Sequence, residues 1–199
     1  MRRTVDYYFS TQSPWTYLGH ARFAQIAAAA NAQVRVKPID LGQVFPLTGG
    51  LPLAKRAPAR QAYRLVELAR YARHLSLPMN TQPAFFPVAG DASARLIIAT
   101  DLQHGSAAAM KLAGAVLAAL WAQQRNIADA GTLAALLAEC GLPAALADAA
   151  TGEDVQQRYA SYTQQALDAG VFGAPSYVID GELFWGQDRL EFVERALRS

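Results

Sequence analysis

Val5-Asp6-Tyr7-Tyr8-Phe9-Ser10-Thr11-Gln12-Ser13-Pro14 is the stretch that decides the fold. Its first five residues are rich in β-branched and aromatic side chains and predict a strand, which gives way to a polar loop at Ser10-Thr11-Gln12. Ser13-Pro14 then predicts a helix start, because serine is a favoured N-cap and proline fits the first helical position, where an N–H has no intrahelical partner. That helix is expected to run from about Pro14 to Ala30 and to bury Leu18, Ala21, Ala24 and Ala28. Val34, Val36 and Ile39 carry a second strand over residues 33–39, so the chain opens as β-loop-α-β.

From Asp40 to about Gly170 nothing reads as strand and helical periodicity dominates. A Gly/Pro loop at Leu47-Thr48-Gly49-Gly50-Leu51-Pro52 comes first, with a further break at Pro58. Apolar stripes follow at Leu65, Leu68, Ala69 and Ala72, and at Met110, Ala113, Val116, Leu117, Leu120 and Trp121. Leu133, Leu136 and Leu137 make a third stripe that ends at Gly141; Val155, Tyr159, Tyr162 and Ala166 make a fourth that ends at Gly170. After Ala174-Pro175 the pattern changes again: Ser176-Tyr177-Val178-Ile179 and Glu182-Leu183-Phe184-Trp185 flank the turn Asp180-Gly181 and predict a hairpin. A last helix from about Asp188 to Leu197 would bury Leu190, Val193 and Leu197. The order β-α-β, helical block, β-β-α is the thioredoxin plan with an all-helical insert. Residues 1–40 and 171–199 are expected to form one discontinuous thioredoxin-like domain of α/β class, and residues 41–170 the insert.

Composition narrows the function. The chain has 199 residues and a formal net charge of +2, with 18 Lys+Arg against 16 Asp+Glu dispersed along it, which excludes a polyanion-binding face and so nucleic acid as a partner. Alanine accounts for 41 residues, a helix-rich composition. The longest apolar run, Leu112 to Ala122, falls short of a membrane span, and Asp6 interrupts the basic start before a signal-peptide core can form, so no membrane association and a cytoplasmic location are expected. Cys140 is the single cysteine, which excludes a disulfide framework, a Cys-x-x-Cys redox pair and a cysteine-based zinc site. His20, His74 and His104 have no ligand spacing with it, so no metal is expected. Cys140 reads most simply as a buried small apolar residue.

In the thioredoxin plan the loop after the first strand and the start of the first helix face the proline-preceded strand. Unpaired N–H groups at a helix start favour an anion, and Ser13 stands on that spot. A thiol bound there has its pKa lowered from about 8.5 toward neutrality or below, and a serine hydroxyl can donate a hydrogen bond to the sulfur anion. Ser13 is thus a candidate catalytic residue, with a plain helix cap as the alternative reading.

Tyr7-Tyr8-Phe9-Ser10-Thr11-Gln12-Ser13-Pro14-Trp15-Thr16-Tyr17-Leu18-Gly19 resembles the amino-terminal signature of 2-hydroxychromene-2-carboxylate isomerases and kappa-class glutathione transferases, DsbA-like proteins in which Ser-Pro stands where others have Cys-Pro. The resemblance continues through Thr48–Pro52, Ala57–Tyr63 and Glu67–Ala72, and returns at Val171–Ser176 and Asp180–Leu190. It implies glutathione as cofactor, lying between Ser13 and a cis Ala174-Pro175 bond. Ala174 would pair through its backbone with the cysteinyl part, and Gln187 and Asp188 would hold the γ-glutamyl end. Asp188 also fits a helix N-cap.

The resemblance further implies a homodimer and isomerisation of an aromatic or chromene carboxylate by reversible thiolate addition, bond rotation and elimination. Arg60 or Lys55 would hold the substrate carboxylate, although either also fits a solvated surface cation, and Trp15 would line the substrate site. Trp185 reads as pocket wall or as hairpin packing. Many isomerases have asparagine at Gly50, lysine at Arg60, aspartate at Glu67 and tryptophan at Tyr71; only Gly50 loses a hydrogen-bonding side chain. The alternatives are a kappa-like transferase that consumes glutathione and a non-catalytic glutathione-binding protein; a thiol-disulfide oxidoreductase is opposed by the missing cysteine pair.

Overall fold

The structure is a computed structural model that describes residues 2–198. Its centre is a four-stranded mixed sheet in the order β2-β1-β3-β4. β1 (Thr4–Phe9) runs parallel to β2 (Gln33–Pro38) and antiparallel to β3 (Ser176–Ile179), which pairs with β4 (Glu182–Trp185) across the Asp180-Gly181 turn. α1 (Pro14–Ala29) makes the crossover between the parallel strands. Asp180 and Gly181 both take positive φ, as a tight hairpin turn requires.

Alternation along β1 gives the sheet two chemically different faces. Tyr7 stacks on Tyr177 and meets Phe23 of α1, so Val5, Tyr7 and Phe9 face α1 and the closing helix α8 (Leu190–Arg198). Asp6, Tyr8, Arg35 and Lys37 occupy the other face. There the Lys37 ammonium lies 3.1 Å from Asp6, donates to Gln165 at 2.8 Å and to the Tyr8 hydroxyl at 3.3 Å, and sits over the Tyr8 and Tyr162 rings. Arg35 pairs with the same carboxylate. A lysine buried this far is tolerated because its charge is paired with Asp6 and its ammonium donates to Tyr8 and Gln165.

Between β2 and β3 the described chain is helical, as the sequence predicts: α2 (Leu41–Thr48), a 3-10 turn (Leu53–Lys55), α3 (Pro58–His74), α4 (Asp91–Trp121), α5 (Ala130–Cys140), α6 (Leu146–Ala149) and α7 (Glu153–Asp168). α4 and α7 cover the polar face of the sheet. Cys140 is buried at the end of α5, next to Gly141 in the left-handed region.

Four differences from the sequence reading are informative. α1 buries Leu18, but Ala21 and Ala28 are exposed and Ala24 is half-buried; the buried face runs instead through Thr16, His20, Phe23 and Ala27, because the large Phe23 ring takes the sheet-facing position. α2 covers Leu47-Thr48, which the Gly/Pro pattern assigns to a loop, and carries Pro46 inside it. α4 begins at Asp91, about five turns before the Met110 at which the sequence stripe starts, and continues through Gly105, where φ of 80° breaks the helical conformation and hides the periodicity from a simple stripe. The closing helix starts at Leu190, after a 3-10 turn over Gln187–Arg189, so Asp188 lies inside that turn instead of capping α8.

Candidate functional site

Ser13 caps α1: it has extended backbone angles, and its Oγ accepts a hydrogen bond from the Thr16 N–H at 3.2 Å. The same Oγ donates to the Ala174 carbonyl at 3.3 Å. The Ala174-Pro175 bond is cis, and the Pro175 carbonyl accepts from the Gly186 N–H at 2.8 Å. The fold thus joins Ser13 to Ala174, 161 residues further along the chain, and to the adjacent Pro175. The Ala174 N–H donates to no protein group among the described residues, leaving a free donor beside the Ser13 hydroxyl.

Ser13 is buried, 6% exposed. At 3.3 Å the bond to the Ala174 carbonyl is at the long end for O–H···O, and rotation about the Cβ–Oγ bond redirects the proton while the Oγ keeps its cap on Thr16. A sulfur anion at the α1 N-terminus would be a stronger acceptor than that carbonyl.

Gln187 and Asp188 take up different positions. Gln187 is 2% exposed, and Arg22 of α1 grips it twice, donating to its side-chain oxygen at 3.3 Å and its main-chain carbonyl at 3.1 Å. Gly19 makes this approach possible: a Cβ there would stand 2.8 Å from the Gln187 Cβ. Asp188 is exposed and pairs with its neighbour Arg189 at 2.6 Å. Arg22 belongs to no pattern in the sequence and Gly19 stands only at the end of the amino-terminal signature, without an assigned role; the docking of the 3-10 turn onto α1 gives both of them one.

Trp15 meets the Tyr71 ring edge-on at 6.1 Å, which ties the first turn of α1 to α3. Lys55 and Arg60 are exposed, in the 3-10 turn and the first turn of α3, and among the described residues neither has a hydrogen bond or ion pair through its side chain. They are free to receive an anion, but no bond links them to Ser13. A cavity of about 670 Å³ opens at the end of α3, lined by Ala69, Ala72, Arg73, Leu77, Pro78 and Met79; Tyr17 of α1 reaches its wall by donating to the Pro78 carbonyl. Glu67 receives Arg70 and the Tyr63 hydroxyl. Gly50 faces the Phe45 ring, whose Cγ would be 2.9 Å from a Cβ at residue 50, so the ring fills the space that an asparagine would need. Trp185 is half exposed; it lies over Gly173 and packs against Phe172 at 4.8 Å.

Among the described residues there is no group of three or more His, Cys, Asp or Glu arranged to hold a metal. No described helix is long and apolar enough to cross a membrane.

A four-stranded mixed sheet, a cis-proline facing the start of the first helix and a helical insert define a thioredoxin-fold protein. The family model for the DSBA-like thioredoxin domain matches residues 4–198. The chain belongs to that family, in the branch of the 2-hydroxychromene-2-carboxylate isomerases: it is 31% identical to the isomerase of that name from Pseudomonas sp. (strain C18), over 97% of this chain and 89% of the relative. A solved structure of a 2-hydroxychromene-2-carboxylate isomerase superposes with a TM-score of 0.82 at 26% identity, covering 98% of this chain and 94% of the other. Glutathione S-transferase kappa 1 of Homo sapiens is a more distant relative, 23% identical over 98% of this chain and 91% of its own length.

Proposed function

We propose that this protein is a glutathione-dependent isomerase of 2-hydroxychromene-2-carboxylate and similar aromatic carboxylates, working in the cytoplasm as a homodimer. The observation that carries the reading is the contact of the Ser13 hydroxyl with the Ala174 carbonyl at the cis-proline, in a chain whose one cysteine is buried elsewhere. With no thiol at the helix start, nucleophilic sulfur has to come from a bound molecule.

The residues present fit glutathione. The free Ala174 N–H suits a peptide carbonyl, and the Ser13 hydroxyl and first-turn N–H groups suit a sulfur anion. Exposed Asp188, at the end of the cis-proline hairpin, suits an α-ammonium. When bound, glutathione supplies a thiolate that adds reversibly to a conjugated carbon, which allows a former double bond to rotate. The protein's part is to hold the sulfur ionised. The α1 N-terminus and Ser13 lower the thiol pKa, while Arg60 or Lys55 receives the substrate carboxylate. Exposed Leu47, Leu51, Tyr63 and Val66 supply an apolar surface suited to a dimer contact.

The test is absorbance-monitored interconversion of 2-hydroxychromene-2-carboxylate with its open-chain isomer, with and without glutathione, together with ultraviolet titration of glutathione onto wild type and Ser13→Ala. Turnover that needs glutathione and leaves its concentration unchanged is expected, with a thiolate band near neutral pH that fades in Ser13→Ala. Stoichiometric consumption of glutathione would make the protein a transferase, binding without turnover would make it a binder, and no binding would refute the reading.

A further inference from the structure

The loop that presents Ser13 is itself buried: Ser10 is 3% and Thr11 2% exposed. A buried loop needs a partner for each polar group, and the partners here come from the start of α4. The Thr11 hydroxyl donates to the Gly90 carbonyl at 3.2 Å. Ser93, fully buried in the first turn of α4, has its Oγ 2.9 Å from the Thr11 Oγ1 and 2.8 Å from the same carbonyl. Each hydroxyl has one proton, so the order that satisfies both is Ser93 O–H to Thr11 Oγ1, and Thr11 O–H to the Gly90 oxygen, a relay in which each bond polarises the next. The packing leaves no slack: a Cβ on Gly90 would lie 2.7 Å from the Thr11 Oγ1. The Ser13 N–H, in turn, donates to the Ser10 carbonyl at 3.0 Å, so displacement of the loop is passed to the helix cap.

We propose that Thr11 and Ser93 are positioning residues, which lock the Ser10–Gln12 loop onto α4 and so fix the Ser13 hydroxyl and the first-turn N–H groups where a sulfur anion is stabilised. The inference rests on the reading of Ser13 as the partner of a thiolate. It gives the helical insert a role in the chemistry of the sheet domain, since the relay joins Thr11 of the loop after β1 to Gly90, the residue before α4, 79 positions further on.

Substitution Ser13→Cys in the full-length protein places a thiol at the site and reports on it without glutathione. The rate of iodoacetamide modification at residue 13 is followed against pH by mass spectrometry, which separates it from buried Cys140, whose thiol burial pushes up. The new thiol should titrate below about 7. Adding Thr11→Val, which keeps shape and removes the hydroxyl, or Ser93→Ala should raise that pKa by about one unit, a tenfold fall in the thiolate fraction at low pH. Thr11→Ser, which keeps the hydroxyl, should restore the original value. Leu136→Ala in α5 should lower Tm without moving the thiol pKa, a separation that a purely structural role would not produce.

An unmoved pKa in Thr11→Val and Ser93→Ala overturns the positioning role, as does an equal shift in Leu136→Ala or failure of both loop variants to fold. Absence of glutathione binding by the wild type refutes the proposed activity instead, so the two failures are told apart.

Discussion

His20 offers the sharpest test of the packing beneath the site. It lies in α1, 7% exposed, with Nδ1 3.1 Å from the Tyr7 hydroxyl and Nε2 2.9 Å from the Met110 carbonyl. A carbonyl only accepts, so the proton is on Nε2 and the Tyr7 O–H donates to Nδ1; the neutral ring satisfies both contacts. Burial, only partly offset by the Met110 carbonyl, lowers the His20 pKa to about 4 from its ordinary 6.5. The folded state therefore binds fewer protons than the unfolded chain between these values, and stability is fully present above about 6.5 and lost as pH falls toward 4. A gap of about 2.5 units at ~1.4 kcal/mol each makes the loss about 3 kcal/mol between pH 7 and pH 4. That is a large part of the ~5–15 kcal/mol that usually holds a domain together. Urea unfolding of wild type and His20→Gln at several pH values would measure it, because glutamine can keep a donor toward Met110 without titrating in this range. The wild type should lose about 3 kcal/mol more than the variant. Parallel pH profiles, or an NMR titration of His20 centred near 6.5, would refute the reasoning.

Three further outcomes follow from local geometry. Ser13→Ala removes the cap on Thr16 and should lower unfolding free energy by about 1 kcal/mol, measured by urea denaturation at neutral pH. Gly19→Ala puts a Cβ against Gln187 and should separate the 3-10 turn from α1 at a cost of about 1–3 kcal/mol; glutathione affinity, read by calorimetry, should fall with it if the turn holds the γ-glutamyl end. Gly50→Asn alone should destabilise by about 1–3 kcal/mol by displacing the Phe45 ring, and Gly50→Asn with Phe45→Ala should behave non-additively in thermal melts, because one side chain occupies the other's space.

Much was legible in the sequence, and for identifiable reasons. β1, the start of α1, the hairpin and the helical block are each set by neighbours in the chain: the aromatic and β-branched run, Ser13-Pro14, Asp180-Gly181 and the apolar stripes act over a few residues. The family signature is local too, so the fold and the position of Ser13 could be read before any coordinates. The length of α4 could not, because its positive-φ Gly105 interrupts the pattern and alanine marks no face.

What only the tertiary structure decided is which of these local pieces meet, since a sequence motif carries no information about groups that approach from distant parts of the chain. Ser13 reads first as a helix cap, and only the fold brings the Ala174 carbonyl to its hydroxyl. Gln187 carries no sign in the sequence of Arg22 and Gly19, which pack on it in the fold. Thr11 reads as plain loop until Gly90 and Ser93 close on it. A backbone preference is decided within a turn or two of chain, whereas a buried hydrogen bond is decided by whichever partner the packing delivers.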